Sequence, residues 1–153
     1  MPNTYTQLYV QVVFAVKFRQ ALISPDWDER LRHYITAIIQ NAGNKVLAIN
    51  NMPDHIHIFF GLHPEQSISK LMQHVKADST KWINANKLTS QKFAWQNGYG
   101  AFTYTRSHID GVVKYILNQQ KHHEKKDFLK EYKMMLDKRK IDYEEKYLFI
   151  SPE

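Results

Sequence analysis

Between Leu8 and Arg19 the chain alternates with period two. Leu8, Val10, Val12, Phe14, Val16 and Phe18 fall on one side of an extended backbone, and Tyr9, Gln11, Val13, Ala15, Lys17 and Arg19 fall on the other. A helix repeats every 3.6 residues and cannot gather such a set on one face. The segment therefore reads as a strand with one apolar face and one mixed face. The rest of the chain has to supply a layer against which the apolar face is buried.

That layer is legible downstream. Ser24-Pro25-Asp26 reads as a helix start, with Ser24 as cap and Pro25 in the first turn. Trp27, Leu31, Tyr34, Ile35, Ile38, Ile39 and Ala42 then recur at helical spacing until Gly43. Lys45 to Ile49 reads as a second strand, Asn50 to Asp54 as a tight connection around Pro53, and His55 to Leu62 as a third strand. Ser67 to about Asn86 is expected to be a second amphipathic helix, with Ile68, Leu71, Met72, Val75, Trp82 and Ile83 inward. Phe93–Gln96 and Tyr99–Thr105 read as strands around an Asn97-Gly98 turn. Ser107 is the expected cap of a third helix over about His108 to His122. The remainder reads as helical and charged, with Phe128, Leu129, Tyr132, Met135 and Leu136 as its apolar contacts.

The order strand, helix, strand, strand, helix, strand points to an α+β fold. The expectation is a ferredoxin-like antiparallel sheet with two helices on one face. The other face is expected to stay free for function, with the third helix, which carries Tyr115, covering part of it. The 153 residues fit one domain over 1–153, with 123–153 as a charged C-terminal extension. Hydrophobic residues make up 43 %, enough for a core, while a mean hydropathy of −0.54 and the lack of a long apolar run argue against a membrane span. No secretory signal is visible and there is no cysteine, which excludes disulfides, thiolate metal sites and a cysteine nucleophile. The expected location is cytoplasmic. The net charge is +6, of which +5 lies in residues 1–120, so the basic excess belongs to the main domain and suits a polyanionic partner.

Two groups of residues could carry chemistry. On a strand, His55 and His57 share a face about 6.8 Å apart and can bind one ion, while Ile56, Ile58 and Phe60 point into the core. Taken alone, such a pair is equally consistent with two polar residues on a half-exposed strand. On the third helix, Ile109, Val112, Val113, Ile116 and Leu117 form an apolar stripe, with His108, Tyr115, Gln119 and His122 beside it. Tyr115 and Gln119 are i and i+4, so a phenol and an amide oxygen are neighbours. A phenolate can attack phosphorus and expel a 3′ oxygen, storing the bond energy as a 5′-phosphotyrosine. A phenol of pKa near 10 needs help at neutral pH, which a cation on the scissile phosphate can give. His55, His57 and Gln119 would offer that cation three ligands. The Trp95 to Phe102 run combines glycines with aromatics that could stack on bases or pack the sheet.

In this order the segments resemble the HUH single-tyrosine transposases, which mobilise small insertion sequences as single-stranded DNA. The resemblance rests on Val13 to Arg19, Met52-Pro53-Asp54-His55-Ile56-His57, Trp95 to Phe102, Tyr115-Ile116-Leu117-Asn118-Gln119 and Asp142 to Phe149. It implies that His55, His57 and Gln119 bind a metal, and that Tyr115 is the nucleophile. The implied metal is magnesium, although imidazole suits manganese better, so manganese is an expected substitute. The implied partners are hairpins in single-stranded DNA and a second copy of the chain, whose tyrosine helix can complete the site. Lys17, Arg19, Lys76, Lys81, Arg106 and Tyr99 are candidate DNA contacts. Two alternatives stand beside this reading. One is a domesticated hairpin-processing nuclease of the same chemistry. The other is a non-catalytic RNA-binding ferredoxin-like module, which would carry stacking aromatics where this chain carries His55 and His57.

Overall fold

The computed structural model describes residues 3–119, 128–144 and 148. Four strands, β1 (Tyr9–Ala15), β2 (Lys45–Met52), β3 (His55–Gly61) and β4 (Gly100–Tyr104), form one antiparallel sheet in the order β2-β3-β1-β4. The helices are α1 (Asp28–Asn41), α2 (Ile68–Ala85), α3 (Ile109–Leu117) and α4 (Phe128–Lys138). The succession β1-α1-β2-β3-α2-β4 with β1 and β3 central is the ferredoxin-like α+β arrangement that the sequence order predicts.

The alternation of β1 divides the molecule into two layers. Val10, Val12 and Phe14, with Ile56, Ile58 and Phe60 of β3, pack against Leu31, Ile35 and Ile39 of α1 and Leu71, Met72, Val75 and Ile83 of α2. The reverse side of the sheet carries Val13, Ala15, Ala48, Phe59 and Phe102. The sequence pattern predicts that this side stays free for function apart from the third helix, with the histidines on it. As expected, α3 covers part of it, seating Val112 and Ile116 on Ala48 and Phe59, but α4 covers more, seating Phe128, Tyr132 and Leu136 on Val13, Ala15 and Phe102. α4 is thus part of a second covering layer. Its residues Phe128, Tyr132, Met135 and Leu136 share one helical face, and that face has an apolar sheet to bury against.

Several boundaries differ from the sequence expectation. β1 ends at Ala15, and Lys17–Arg19 is a 3₁₀ turn in which Phe18 (φ 59°) and Arg19 (φ 51°) are left-handed. That turn takes Phe18 out of the apolar face and leaves it 46 % exposed. Of Phe93–Gln96, only Trp95 makes a bridge, to Val16. α1 starts at Asp28, because Ser24 closes a preceding turn in which its Oγ accepts from the Asp26 amide. β2 runs on to Met52, pairing Asn50 with His57, so the reversal is confined to Pro53-Asp54. α2 begins at Ile68, with Ser67 as its cap accepting from the Lys70 amide. α3 begins at Ile109 after a 3₁₀ turn over Arg106–His108, with no side-chain cap from Ser107. It ends at Leu117 with Asn118 as its C-cap, short of the expected end at about His122, and residues 120–122 lie outside the described residues. No helix among the described residues is long and apolar enough to cross a membrane.

Candidate active site

β3 presents His55 and His57 on the reverse face of the sheet, as the alternation requires, and both are fully buried. Their ring centroids are 5.2 Å apart. His55 Nδ1 lies 2.7 Å from Asp54 Oδ1. Burial works to raise the Asp54 carboxyl, but the His55 bond, the His55 charge and Arg19 together hold it below its ordinary value. With Nδ1 donating to Asp54, the ring presents Nε2 to the site. Phe128 of α4 stacks on His55 with a centroid distance of 3.8 Å.

Glu131 is the residue that the sequence reading missed. It lies on the buried face of α4, 5 % exposed, and its Oε1 is 3.1 Å from His57 Nε2. His55, His57 and Glu131 form a group, all three buried, whose ligand atoms lie within 4.8 Å of one another. Two imidazoles and a carboxylate are a donor set that suits a divalent cation. The signal for Glu131 was present: it is an acid inside the apolar stripe Phe128, Tyr132, Met135 and Leu136. Such a position costs stability unless the charge finds a partner.

Tyr115 arrives from α3. Its ring lies edge-on to His57 at 6.0 Å between centroids. Asn50 Nδ2 donates to the Ile116 carbonyl at 2.9 Å, satisfying an end-of-helix acceptor and pinning this turn of α3 to β2. Burial pushes the Tyr115 phenol well above its ordinary range, and the charge of Glu131 and the hydrogen bond to it push the same way, while the Gln119 side chain pulls it down. Gln119 is fully buried beside it and donates through Nε2 to the Tyr115 carbonyl at 3.3 Å. The structure therefore brings His55, His57, Tyr115 and Gln119 into one cluster with Glu131. His108 is exposed and bonds Thr105, and His122 lies outside the described residues.

The candidate DNA contacts are scattered. Lys17 and Arg19 follow β1 at its Ala15 end, near His55, whereas Arg106 follows β4 at the Tyr9 end. Lys81 is exposed on α2, and Tyr99 is half-buried just before β4. Lys76 has an internal role. Its ammonium donates to the carbonyls of Gln96 (2.8 Å) and Gly98 (2.6 Å) and so ties α2 to the loop before β4.

Comparison with known proteins bears on what this cluster is. The sequence model of the family described as "Transposase IS200 like" matches residues 4–119, which holds every strand, both histidines, Tyr115 and Gln119. The chain belongs to the IS200-like transposase family. It is 23 % identical over 118 residues to the ISDra2 transposase TnpA of Deinococcus radiodurans, covering 74 % of this chain and 84 % of that protein. Its fold is similar to the crystal structure of a protein assigned as a transposase from Deinococcus radiodurans R1, with a TM-score of 0.64 at 21 % identity over 78 % of this chain and 95 % of the other. It is also similar to a REP-associated tyrosine transposase solved with a REP hairpin, with a TM-score of 0.60 at 16 % identity over 80 % and 73 % of the two chains. An IS200-like transposase cleaves and transfers DNA strands, and α4 with Glu131 lies beyond the residues that the family model matches.

Proposed function

We propose that this transposase binds hairpins in single-stranded DNA and cuts and rejoins strands through a 5′-phosphotyrosine on Tyr115. The observation that carries the proposal is the convergence of a half-buried phenol on a buried two-histidine cluster, His57 lying 6.0 Å from Tyr115 between ring centroids. Attack of the phenol oxygen on phosphorus forms the P–O bond to Tyr115 and releases the 3′ oxygen, and attack by a 3′ hydroxyl reverses the step and frees the phenol. A divalent metal, magnesium with manganese as substitute, would polarise the phosphate and lower the cost of the phenolate when bound. His55 and His57 would hold it through Nε2, with an oxygen from Glu131 or Gln119.

The two oxygens belong to different states of the site. With α4 seated, Phe128 stacks on His55 and Glu131 bonds both His57 and Tyr115, which favours the protonated phenol and occupies the His57 Nε2 that a metal would take. Cleavage therefore requires α4 to lift. Gln119 follows Tyr115 by one helical turn and stays beside it when α4 leaves, so in the open state it is the third ligand. A reading as an RNA-binding sheet has no support here, because α3 and α4 cover the face on which bases would stack. The hairpin partner is inferred from the relative solved with a REP hairpin. The homodimer follows from the likeness to single-tyrosine transposases, and a cytoplasmic location suits a DNA partner.

The test is incubation of the full chain with single-stranded oligonucleotides carrying a hairpin, with magnesium, manganese or a chelator. Site-specific cleavage and strand exchange that the chelator stops are expected. Metal-independent cleavage, or equal cleavage of strands without a hairpin, would contradict the proposal.

A further inference from the structure

The two histidines are held in different ways. His55 Nδ1 faces the Asp54 carboxylate, which can only accept. His57 Nδ1 faces Gln11 Nε2 at 3.1 Å, while Gln11 Oε1 accepts from the Tyr104 hydroxyl at 2.9 Å. Gln11 is 1 % exposed on central strand β1, between Val10 and Val12 of the main core and on the same face as Val13. An amide N–H donating to Nδ1 requires that the neutral His57 ring carry its proton on Nε2, which then donates to Glu131 Oε1 at 3.1 Å. In this arrangement His57 is not yet a metal ligand, because Nε2 is protonated.

We propose that Gln11, backed by Tyr104, is the positioning residue that makes His57 switchable between this resting form and the metal-ligating form. The inference rests on the metal centre proposed above. Ligation through Nε2 requires the proton to leave that nitrogen, and the neutral ring then carries its proton on Nδ1. The Nε2 proton passes to the Glu131 carboxylate that already accepts its hydrogen bond and from there to solvent water, and Nδ1 takes one proton from solvent, so the ring and Glu131 end with the protons they began with. The Nδ1–H group now needs an acceptor in a buried site. A half-turn of the Gln11 amide supplies Oε1 to Nδ1 and turns its NH₂ to the Tyr104 oxygen, which can accept as well as donate. Aspartate or leucine at position 11 could not serve both forms, the one being too short and acceptor-only, the other apolar. Asp54 holds His55 permanently in the ligating form, and the Gln11–Tyr104 pair lets His57 take either.

The test uses the DNA-free full chain and Mn²⁺ alone, with free Mn²⁺ read by electron paramagnetic resonance. Gln11→Leu is expected to weaken Mn²⁺ binding about 10- to 100-fold, the range for lost partners of metal-bound histidines. Gln11→Glu, which accepts from Nδ1–H and from Tyr104, is expected to restore affinity to within a few-fold of wild type. Gln11→Leu binding Mn²⁺ as wild type does, while His57→Ala has lost it, would overturn the role and leave the metal centre standing. His57→Ala binding Mn²⁺ undiminished would remove the metal centre and this role with it. A second readout needs no variant: ¹⁵N spectra of wild-type His57 should show Nε2–H without metal and Nδ1–H with Zn²⁺ bound. Nδ1–H in the metal-free chain, or no change on adding Zn²⁺, would also overturn the proposal.

Discussion

Removal of the Phe128 ring measures how firmly α4 closes the site. Phe128 is 2 % exposed, stacks on His55 at 3.8 Å and lies 5.9 Å from the ring of Tyr132. Phe→Ala at such a position costs about 3–5 kcal/mol. The layer that it belongs to is small, comprising Val13, Ala15, Phe102, Tyr132, Leu136 and Leu148 as its other buried residues among those described. The main core between the sheet and α1 and α2 does not touch it. The loss should therefore appear as local opening of α4 and not as unfolding of the domain. At about 1.4 kcal/mol per factor of ten, the open population rises by roughly two to nearly four powers of ten. Hydrogen exchange read by mass spectrometry checks this: peptides of α4 should exchange faster in Phe128→Ala, while those of α2 keep their protection. If α4 is the cover of the active site, the same variant should also cut hairpin DNA faster than wild type. Equal exchange in α4, or a loss spread evenly over α1, α2 and α4, would refute the reasoning.

Other perturbations test separate parts of the account. DNA affinity should fall steeply with salt, by about 0.7 in the log–log slope for each phosphate neutralised on a single strand, and a slope near zero would remove the basic surface. Burial lowers the Lys76 ammonium to about 8 from 10.5, so the folded chain holds this proton less tightly than the unfolded one. The stability of wild type relative to Lys76→Met should accordingly rise between about pH 8 and 10.5 and be lowest below pH 8. Thermal melts of both proteins at pH 7 and pH 10 give the comparison, and a gap that does not move would contradict the burial of this charge.

Period-two alternation in Leu8–Val16 and His55–Leu62 made the sheet and its two faces legible, because strand geometry alone determines which side each residue takes. It put His55 and His57 on the reverse face, and helical spacing put Gln119 beside Tyr115. That α3 covers part of that face was legible, but what covers the rest was not. Phe128, Tyr132 and Leu136 read as contacts of a charged extension, since nothing local in their sequence names the sheet as their partner. Glu131 was hidden for the same reason: an acid becomes a candidate ligand only when a fold 74 residues away in sequence brings His57 to it. Gln11 is polar in a run of core residues, but its role depends on two partners from β3 and β4. The left-handed pair Phe18 and Arg19 ended β1 early against an unbroken pattern, because alternation records side-chain polarity and not the backbone torsions that stop a strand.

The most direct measurement of the central claim is identification of the residue that becomes covalently joined to DNA. The full chain is incubated with a hairpin-bearing single strand and a divalent metal, the adduct is digested, and the phosphotyrosine peptide is sequenced by mass spectrometry. The account predicts that the 5′ phosphate is on Tyr115, and that Tyr115→Phe, which lacks one oxygen, still binds the hairpin yet forms no adduct. Phosphate on any of the other eight tyrosines, or strand cleavage by Tyr115→Phe at the wild-type rate, would contradict it.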